Sequence, residues 1–381
     1  MFKLRILILV SSDTLDGPGR CILNTIKNLN KDKYEVEVAF LRKTKQESII
    51  DELKNLKINY LYLGNSNFLK GWLNIKAIIK GIIAIKKGKF QVIHSHLHRA
   101  AVFGFFISSF TKAPHICTVH NQEAHHTKRD LFSKIVTELE KRSYRQASNV
   151  VCVAEAVKKH VEENLLINKK KITVIPNCLN INDYPFKEKI NSLKQILNIN
   201  DKTILFGTMS RLAPQKGLFY LLEAFKNLTL KFKDLKSFLV LAGEGELREE
   251  ISDWIKKNNL EDKIRMIGQQ NPIDYLQQLD VFMLPSLWEG MPISLIEAMR
   301  YGLPCIVTDV GGNSELIEHG YNGIMVSSAD VTNLEMAMQK LLADMEYAKK
   351  LGNNAQKTIM MKYNCLKTTK DFEQLYDKII N

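Results

Sequence analysis

The sequence predicts an α/β protein with two doubly wound parallel-sheet domains that face a cleft. Short apolar, β-rich runs alternate with longer helical stretches along the chain, which is the pattern of parallel α/β layers. The length of 381 residues suits two domains better than one. A stretch rich in Asn, Lys and Asp, Asn177–Lys202, separates the two series of strands. Because such sheets bind ligands at the carboxyl ends of their strands, we expect the ligands in the cleft.

These patterns define the domains and their strands. We predict a first domain over 1–180, a linker over 181–202, a second domain over 203–360, and a C-terminal helix over 361–381 that packs back toward the first domain. The strands predicted for the first domain are Leu4–Val10, Glu35–Leu41, Tyr60–Leu63, Gln91–His94, His115–His120, Val150–Val153 and Ile172–Ile175. Those predicted for the second are Ile204–Met209, Ser237–Ala242, Ile264–Ile267, Val281–Leu284, Cys305–Thr308 and Ile324–Val326.

Composition excludes several classes of protein. Hydrophobic residues make up 45% of the chain and charged residues 25%, which is globular rather than disordered. The longest apolar run, Ala100–Phe110, is shorter than the roughly 18 residues of a membrane helix and is interpreted as a buried helix. The apolar part of the N-terminus, Ile6–Val10, is too short for a signal peptide and fits a first strand. The six cysteines are widely spaced without a Cys-x-x-Cys pair, so we expect reduced, cytosolic thiols.

Charge is distributed unevenly between the two halves. Residues 1–200 carry 33 Lys and Arg against 17 Asp and Glu, whereas the remainder carries 21 against 24. Residues 53–122 contain ten basic side chains and no acidic one. A field of this sign attracts nucleic acid, anionic lipid or a phosphorylated substrate. No nucleic-acid motif or aromatic–basic pattern accompanies it, so nucleic acid is the least favoured of the three.

The segment most informative about function is Pro285–Met299. It follows an apolar strand, and Pro292 fits the first position of a helix that Gly302 can close. Glu289 then precedes the helix, and Glu297 lies nearly two turns inside it, about 8 Å from its start. The helix N-terminus between them suits a phosphate, so the two carboxylates could bind hydroxyls on either side of a diphosphate. The alternative is an ordinary loop followed by an exposed helical Glu.

Two cations lie upstream on another predicted strand-to-helix loop. Arg211 and Lys216 are five residues apart, and both can bind a diphosphate. The Arg211 guanidinium can donate two parallel hydrogen bonds, whereas the Lys216 ammonium acts as a compact positive charge. They would contribute most on a departing nucleoside diphosphate, where negative charge grows in the transition state. The alternative is two solvated surface cations. Gly243, at the end of the next strand, permits close approach of a ligand or makes a turn.

Small residues and a histidine follow strands in the N-terminal half. Asp16–Arg20 opens a helix after the first strand, and its Gly17 and Gly19 either let a ligand approach the backbone or form a plain turn. His120 ends a predicted strand, a position that suits hydrogen bonding to a sugar hydroxyl or to a reacting centre. The alternative is a structural histidine.

Three further histidines occur at alternate positions, His94, His96 and His98. We take strand alternation to place His96 on the opposite face from the other two, and no carboxylate lies nearby. The sequence also contains no Asp-x-Asp motif that could hold a metal. A metal site is therefore not expected.

A basic amphipathic helix is predicted within the acid-free window, over Trp72–Lys87. Lys76, Lys80 and Lys87 fall on one helical stripe, with isoleucines on the other, and Lys86 adds a further cation. Such a helix suits the surface of an anionic membrane. An ordinary surface helix that covers the sheet and leaves its lysines solvated is equally compatible.

Together these residues resemble the GT-B glycosyltransferases, specifically glycosyltransferase family 4, over nearly the whole chain. The family's Glu-x7-Glu signature corresponds to Glu289 and Glu297. The match continues downstream through Gly302-Leu303-Pro304, Asp309, Gly311-Gly312, Glu315, Gly320 and Gly323. By this resemblance, Glu289 would bind the donor-sugar hydroxyls and Glu297 the ribose of a nucleotide-sugar.

The resemblance also implies roles for the other candidates. Arg211 and Lys216 would hold the diphosphate, and His120 would lie beside the donor sugar. The other donor contacts it implies are the loop of Gly17 and Gly19, Gly243, the stretch Met266–Gly268 that contains Ile267, and the backbone around Gly290, Met291 and Leu295. GT-B relatives generally need no metal, and no other cofactor is implied.

The function implied is that of a retaining hexosyl- or N-acetylhexosaminyltransferase. We expect a UDP-sugar donor and, on the N-terminal domain, a membrane-associated glycan or glycolipid acceptor of lipopolysaccharide or capsule synthesis. The acceptor hydroxyl would attack on the face that the nucleotide leaves, since no carboxylate nucleophile is evident. The expected location is cytoplasmic, peripheral on the inner face of the membrane. The alternatives are a GT-B relative with other chemistry, such as an epimerase or a non-catalytic subunit, and a nucleic-acid-binding protein.

Overall fold

A computed structural model describes residues 3–44, 48–64, 75–121, 131–165, 167–186, 193–232 and 236–380. All the predicted strands are present, and no strand end differs from its prediction by more than two residues. The strands form two separate parallel sheets flanked by helices, so the predicted α/β class with two doubly wound sheets is confirmed.

The first sheet contains the first seven strands of the chain. They are β1 (Leu4–Val10), β2 (Tyr34–Phe40), β3 (Asn59–Tyr62), β4 (Val92–His96), β5 (His115–Val119), β6 (Asn149–Cys152) and β7 (Ile172–Val174). Their order in the sheet is β3-β2-β1-β4-β5-β6-β7. The direction of winding therefore reverses between β1 and β4, which is where such sheets bind ligands. The helices in this part of the chain are α1 (Gly17–Asn28), α2 (Ile50–Asn55), α3 (Ile75–Gly88), α4 (His98–Thr111), α5 (Leu131–Gln146) and α6 (Glu155–Leu165).

The second sheet contains six strands. They are β8 (Ile204–Met209), β9 (Ser237–Ala242), β10 (Ile264–Gly268), β11 (Val281–Leu284), β12 (Cys305–Thr308) and β13 (Ile324–Val326). The order β10-β9-β8-β11-β12-β13 places the reversal between β8 and β11. The accompanying helices are α7 (Leu193–Ile196), α8 (Leu218–Lys231), α9 (Arg248–Lys257), α10 (Pro272–Leu276), α11 (Ile293–Arg300), α12 (Asn313–Leu316), α13 (Val331–Ala343) and α14 (Met345–Lys362), and the chain ends with α15 (Cys365–Ile380).

Contacts between residues of the chain divide it into two compact units. The first comprises Met1–Cys178 together with Cys365–Asn381, and the second comprises Leu179–Asn364. The last helix, α15, therefore belongs to the first unit. Its Phe372 and Tyr376 are buried in the same core as α1, and the two helices pack against each other.

The first sheet is buried on both faces, as a doubly wound sheet requires. Along β1, Ile6 and Ile8 contribute to the core under α1 and α15, whereas Leu7 and Leu9 contribute to the core under α3 and α4. Successive side chains of a strand point to opposite faces, so a continuous apolar run supplies both cores at once. Each such side chain contributes about 1.5–3 kcal/mol on burial.

Helix α4 contains the most apolar run of the sequence. Six of its residues are buried, which confirms the prediction of a buried helix. Within the described ranges no helix is both long enough and apolar enough to cross a bilayer.

The cysteines differ from the expectation of six reduced thiols. Cys178 and Cys365 form a disulfide, with their Cα atoms 4.9 Å apart. They are 187 residues apart in the sequence and meet because α15 returns to the first unit where the chain had left it. Spacing along the chain carries no signal for such a pairing. The other four cysteines are buried and form no disulfide.

Candidate active site

Two loops of the second unit bring Lys216 close to Glu289. Lys216 ends a 3-10 turn after β8, and Glu289 lies in the loop after β11, the neighbouring strand. The loops are joined by hydrogen bonds from Leu287 N to Gln215 O (2.7 Å) and from Gln215 Nε2 to Trp288 O (2.9 Å). The close contact between the two loops therefore sets the positions of both charged residues.

The two charged side chains form an ion pair between the partly buried Lys216 and the buried Glu289. Lys216 Nζ lies 2.5 Å from Glu289 Oε1, and the side chains are 14% and 6% exposed. The Ser286 hydroxyl donates to the same Glu289 oxygen at 2.6 Å. Burying a cation and an anion is costly unless each has partners. This pair therefore fixes the orientation of two residues that sequence analysis singled out independently.

A glycine turn supports Glu289 from the other side. Gly311, after β12, has a φ of +54°, and a Cβ atom there would lie 2.0 Å from the carbonyl oxygen of Glu289. The next residue, Gly312, donates its N–H to Gly290 O at 2.6 Å. The glycines of the downstream run thus allow the close approach that holds the Glu289 loop in place.

Helix α11 begins one residue later than predicted. Pro292 is its N-cap, with extended backbone angles, so Ile293 is the first helical residue. Glu297 therefore lies only four residues past the start, about 6 Å along the axis, rather than nearly two turns inside. Among the residues that the structure describes, no side chain caps this end of the helix. The first turn of a helix has N–H groups without a partner inside the helix, which can act as donors to a ligand.

Glu297 is buried and has a partner that sequence analysis missed. Its side chain is 1% exposed, and its Oε1 accepts a hydrogen bond of 2.6 Å from the Tyr184 hydroxyl. Tyr184 follows a short 3-10 turn 113 positions earlier in the chain, so no local pattern pointed to it. Ser286 was missed as well, although its position three residues before Glu289 was a possible signal.

The other candidates of the second unit lie around the same strand ends. Arg211 is exposed, whereas Met291 and Leu295 are buried. Gly243 has a φ of +135°, and a Cβ there would lie 1.9 Å from Ser210 O, so its backbone packs against the loop after β8. Ile267 is half-buried near the end of β10.

In the first unit, the two small residues at the start of α1 differ in their surroundings. Asp16 caps the helix by accepting the Gly19 N–H at 3.0 Å, and a Cβ at Gly19 would lie 2.4 Å from Thr14 O. Gly17 has open space where a Cβ would be. Gly19 is therefore explained by packing, whereas Gly17 leaves room for a ligand.

The histidines of β4 correct the sequence analysis. His94 and His96 lie on the same face of the sheet, with ring centroids 4.3 Å apart, because side chains two residues apart on a strand point the same way. His98 is in α4, where it hydrogen-bonds the Tyr144 hydroxyl at 2.9 Å. In the described part of the chain, no group of three or more His, Cys, Asp or Glu side chains could hold a metal.

His120 follows β5 and contacts His96. Its Nε2 lies 3.0 Å from His96 Nδ1. Burial lowers the pKa of His120 to about 4 and, together with the neighbouring histidines, that of His94 to about 3. The same causes hold the pKa of His96 well below its ordinary value. All three rings are therefore neutral near pH 7.

Helix α3 carries the predicted basic surface, with one correction. Lys76, Lys80, Lys86 and Lys87 are all exposed. The isoleucines do not all lie on the buried side: Ile75, Ile79 and Ile83 are 70%, 50% and 56% exposed. At 100° per residue these three form a stripe beside the lysines, whereas Ile78 and Ile85 pack on the sheet. Trp72, at the predicted start of this helix, lies outside the described residues.

Comparison with known proteins gives the family. A family model described as "Glycosyltransferase Family 4" matches residues 15–183, and one described as "Glycosyl transferases group 1" matches residues 189–358. The chain is 26% identical to the Escherichia coli UDP-Gal:alpha-D-GlcNAc-diphosphoundecaprenol alpha-1,3-galactosyltransferase over 96% of this chain and 95% of that protein. It is 23% identical to the Staphylococcus aureus capsular polysaccharide biosynthesis glycosyltransferase CapM over 81% and 82% of the two chains.

A solved structure has the same fold. Anabaena HepE in complex with UDP-glucose superposes with a TM-score of 0.84 at 19% identity, covering 98% of this chain and 99% of that one. The two family models together match nearly the whole sequence. This chain therefore belongs to glycosyltransferase family 4 and is a glycosyltransferase with the GT-B fold.

Proposed function

We propose that this protein is a retaining glycosyltransferase that moves a sugar from a UDP-sugar to a membrane-associated glycan or glycolipid. The observation that carries the proposal is the ion pair between Lys216 and Glu289, with Glu289 in the loop that leads into the N-terminus of α11. A diphosphate fits a helix N-terminus with a lysine beside it. Within the described ranges, the two side chains that hydrogen-bond Glu289 both contact its Oε1, so we assign Oε2 to a donor-sugar hydroxyl.

The choice of UDP rests on similar proteins. HepE has been solved with UDP and with UDP-glucose, and the name of the E. coli relative specifies UDP-Gal as its donor. In the present protein, Glu297 would bind the ribose from inside α11, with its carboxylate oriented by Tyr184. Arg211, whose side chain is exposed, would bind the diphosphate from the solvent side.

The proposed chemistry depends on stabilising the departing UDP. Negative charge on the diphosphate increases as the glycosidic bond breaks, so Lys216 and the first-turn N–H groups of α11 lower the barrier. Glu289 holds the sugar, and the acceptor hydroxyl attacks on the face that UDP leaves, which retains the anomeric configuration.

The acceptor is proposed to be lipid-linked, in surface polysaccharide synthesis. The name of the E. coli relative specifies a diphosphoundecaprenol-linked acceptor, and CapM belongs to capsular polysaccharide biosynthesis. On α3, the exposed stripe of Ile75, Ile79 and Ile83 lies next to exposed lysines. Such a face suits the interface of an anionic bilayer, with isoleucines in the acyl region and lysines at the headgroups. We place the enzyme on the inner face of the membrane.

Removing the charge of this helix should weaken membrane binding. Replacing Lys76, Lys80, Lys86 and Lys87 by Gln is expected to lower partitioning onto anionic liposomes at least ~10-fold, because each lysine near such a surface contributes about 1 kcal/mol. Co-sedimentation measures this, and UDP-sugar binding should stay unchanged. The matched control replaces four exposed lysines of α14, Lys349, Lys350, Lys357 and Lys362. If both variants lose the same affinity, only net charge matters and α3 is an ordinary surface helix.

The reaction itself is tested by its products. With a UDP-sugar and a lipid-diphosphate-linked glycan in vesicles, we expect UDP release that depends on acceptor and a product whose new linkage keeps the donor's anomeric configuration by NMR. An inverted linkage would contradict the retaining mechanism. UDP release that is insensitive to every glycan acceptor would contradict the transfer function.

A further inference from the structure

Three histidines of the first unit form one connected cluster, which is made of the buried His94 and His96 and the half-buried His120. The hydrogen bond between His96 and His120 spans the ends of the paired strands β4 and β5. The ring of His94 packs against that of His96 on the same face of the sheet. His96 therefore contacts both of the other rings.

His94 is fixed on both of its nitrogens. Its Nε2 lies 2.7 Å from Thr118 Oγ1, and its Nδ1 lies 2.8 Å from the hydroxyl of Tyr376 on α15. His94 and Tyr376 are 1% and 0% exposed. Because both ring nitrogens have partners, the His94 ring is fixed in orientation, and the His96 ring packs against it.

The backbone after His96 is also held in an unusual conformation. Leu97 has φ 73° and ψ 157°, a region that non-glycine residues rarely adopt. This residue turns the chain directly from β4 into α4. The position of His96 is consequently set by its ring neighbours and by the main chain together.

A hydrogen bond between two neutral imidazoles couples their tautomers. One nitrogen donates its proton and the other must accept with its lone pair. If His120 Nε2 donates, His120 Nδ1 is left as an acceptor; if His96 Nδ1 donates, His120 Nδ1 carries the proton and is a donor. The protonation of His96 thus decides whether His120 Nδ1, for which the described residues show no partner, is a donor or an acceptor.

We propose that His96 is a positioning residue that fixes the tautomer and the ring orientation of His120, so that His120 Nδ1 presents one defined hydrogen-bonding function to a ligand bound at the carboxyl ends of β4 and β5. The expected effect on turnover rests on the proposed function, whereas the expected tautomer does not. His94, Thr118 and Tyr376 act behind His96 and hold its ring in place.

The tautomer is measured directly by NMR of protein labelled with ¹⁵N-histidine. In the wild type, His120 is expected to give one tautomer, with its signals assigned through their loss in His120→Gln. In His96→Leu, the ring loses its partner, and both tautomers should appear. In His96→Asn, an amide replaces Nδ1 at nearly the same place, so a single tautomer should return. Wild-type His120 signals in a folded His96→Leu would overturn the proposal, whether or not transfer is detected.

Kinetics supply the second readout. His96→Leu should lower kcat about 10- to 100-fold, the usual effect of losing a group that orients a functional histidine. The donor dissociation constant should stay within about 2-fold of wild type, and His96→Asn should restore most of the rate. His115→Leu is the control for burial, since His115 is a buried histidine of the neighbouring strand that bonds Ser95 and not His120. An equal loss of kcat in His115→Leu and His96→Leu would show a general packing effect and contradict the positioning role.

Discussion

Replacing Lys216 by alanine is expected to lower the turnover number at least ~100-fold. Losing one oriented charge contact to a developing anion typically costs this much. The change also leaves Glu289 buried without its cation, so donor binding should weaken as well. Glu289→Gln is expected to lose a similar factor in turnover while it keeps nearly the same volume. Steady-state kinetics with a saturating acceptor measure both effects.

The control for this prediction is Lys226→Ala. Lys226 also forms an ion pair, at 3.0 Å with Glu223, but this pair is partly exposed along α8. Such a pair contributes little to stability, and we expect turnover within about 2-fold of wild type. Near-normal activity in both Lys216→Ala and Glu289→Gln would show that the site assignment is wrong.

Replacing Gly311 by alanine is expected to be the most disruptive conservative change near the site. The left-handed backbone alone costs a non-glycine residue about 1–2 kcal/mol. The added Cβ would also lie 2.0 Å from the Glu289 carbonyl oxygen, and this contact is with backbone, which has little freedom to move. Overpacking of this kind adds about 1–3 kcal/mol. Because a misplacement of about 1 Å costs ~100-fold in rate, turnover should fall with stability.

Gly302→Ala separates the two contributions. Gly302 has a φ of +70°, but the nearest atom to an added Cβ would be 3.7 Å away. Gly302→Ala should therefore lose only the stability that a non-glycine residue loses in the left-handed conformation, and its turnover number should stay that of the wild type. Urea unfolding of both variants measures the difference. If Gly311→Ala and Gly302→Ala have equal free energies of unfolding, the Glu289 loop accommodates the added Cβ without loss of stability. Gly311 would then not position this loop.

The strands were predictable because a sheet covered on both faces requires continuous apolar runs. β1 is the clearest case, since all its residues from Ile6 to Val10 are buried. The signature of Glu289 and Glu297, with the glycines after it, indicated the family. Gly302, Gly311 and Gly320 are informative because their positive φ values disfavour other residues, and at Gly311 a close backbone contact excludes a side chain as well.

Contacts between distant segments were not predictable. Nothing local relates Tyr184 to Glu297 or Cys178 to Cys365, because tertiary packing alone brings them together. The isoleucines of α3 are spread around much of the helix, so the pattern did not show which of them the sheet would cover. His94 and His96 lie on one face, contrary to the expectation, because side chains two residues apart on a strand point the same way.

The most direct test of the central claim, that the second unit binds a UDP-sugar through Lys216 and Glu289, is a thermal-shift panel. Purified protein is mixed with UDP-, GDP- and ADP-sugars, and the Lys216→Ala variant is measured in parallel. A ligand at about 100 times its dissociation constant should stabilise the protein by about 2.7 kcal/mol. We predict a shift with UDP-sugars alone, which the variant loses at the same concentration. A shift with another nucleotide class only, or with UDP-sugars equally in both proteins, would contradict the account.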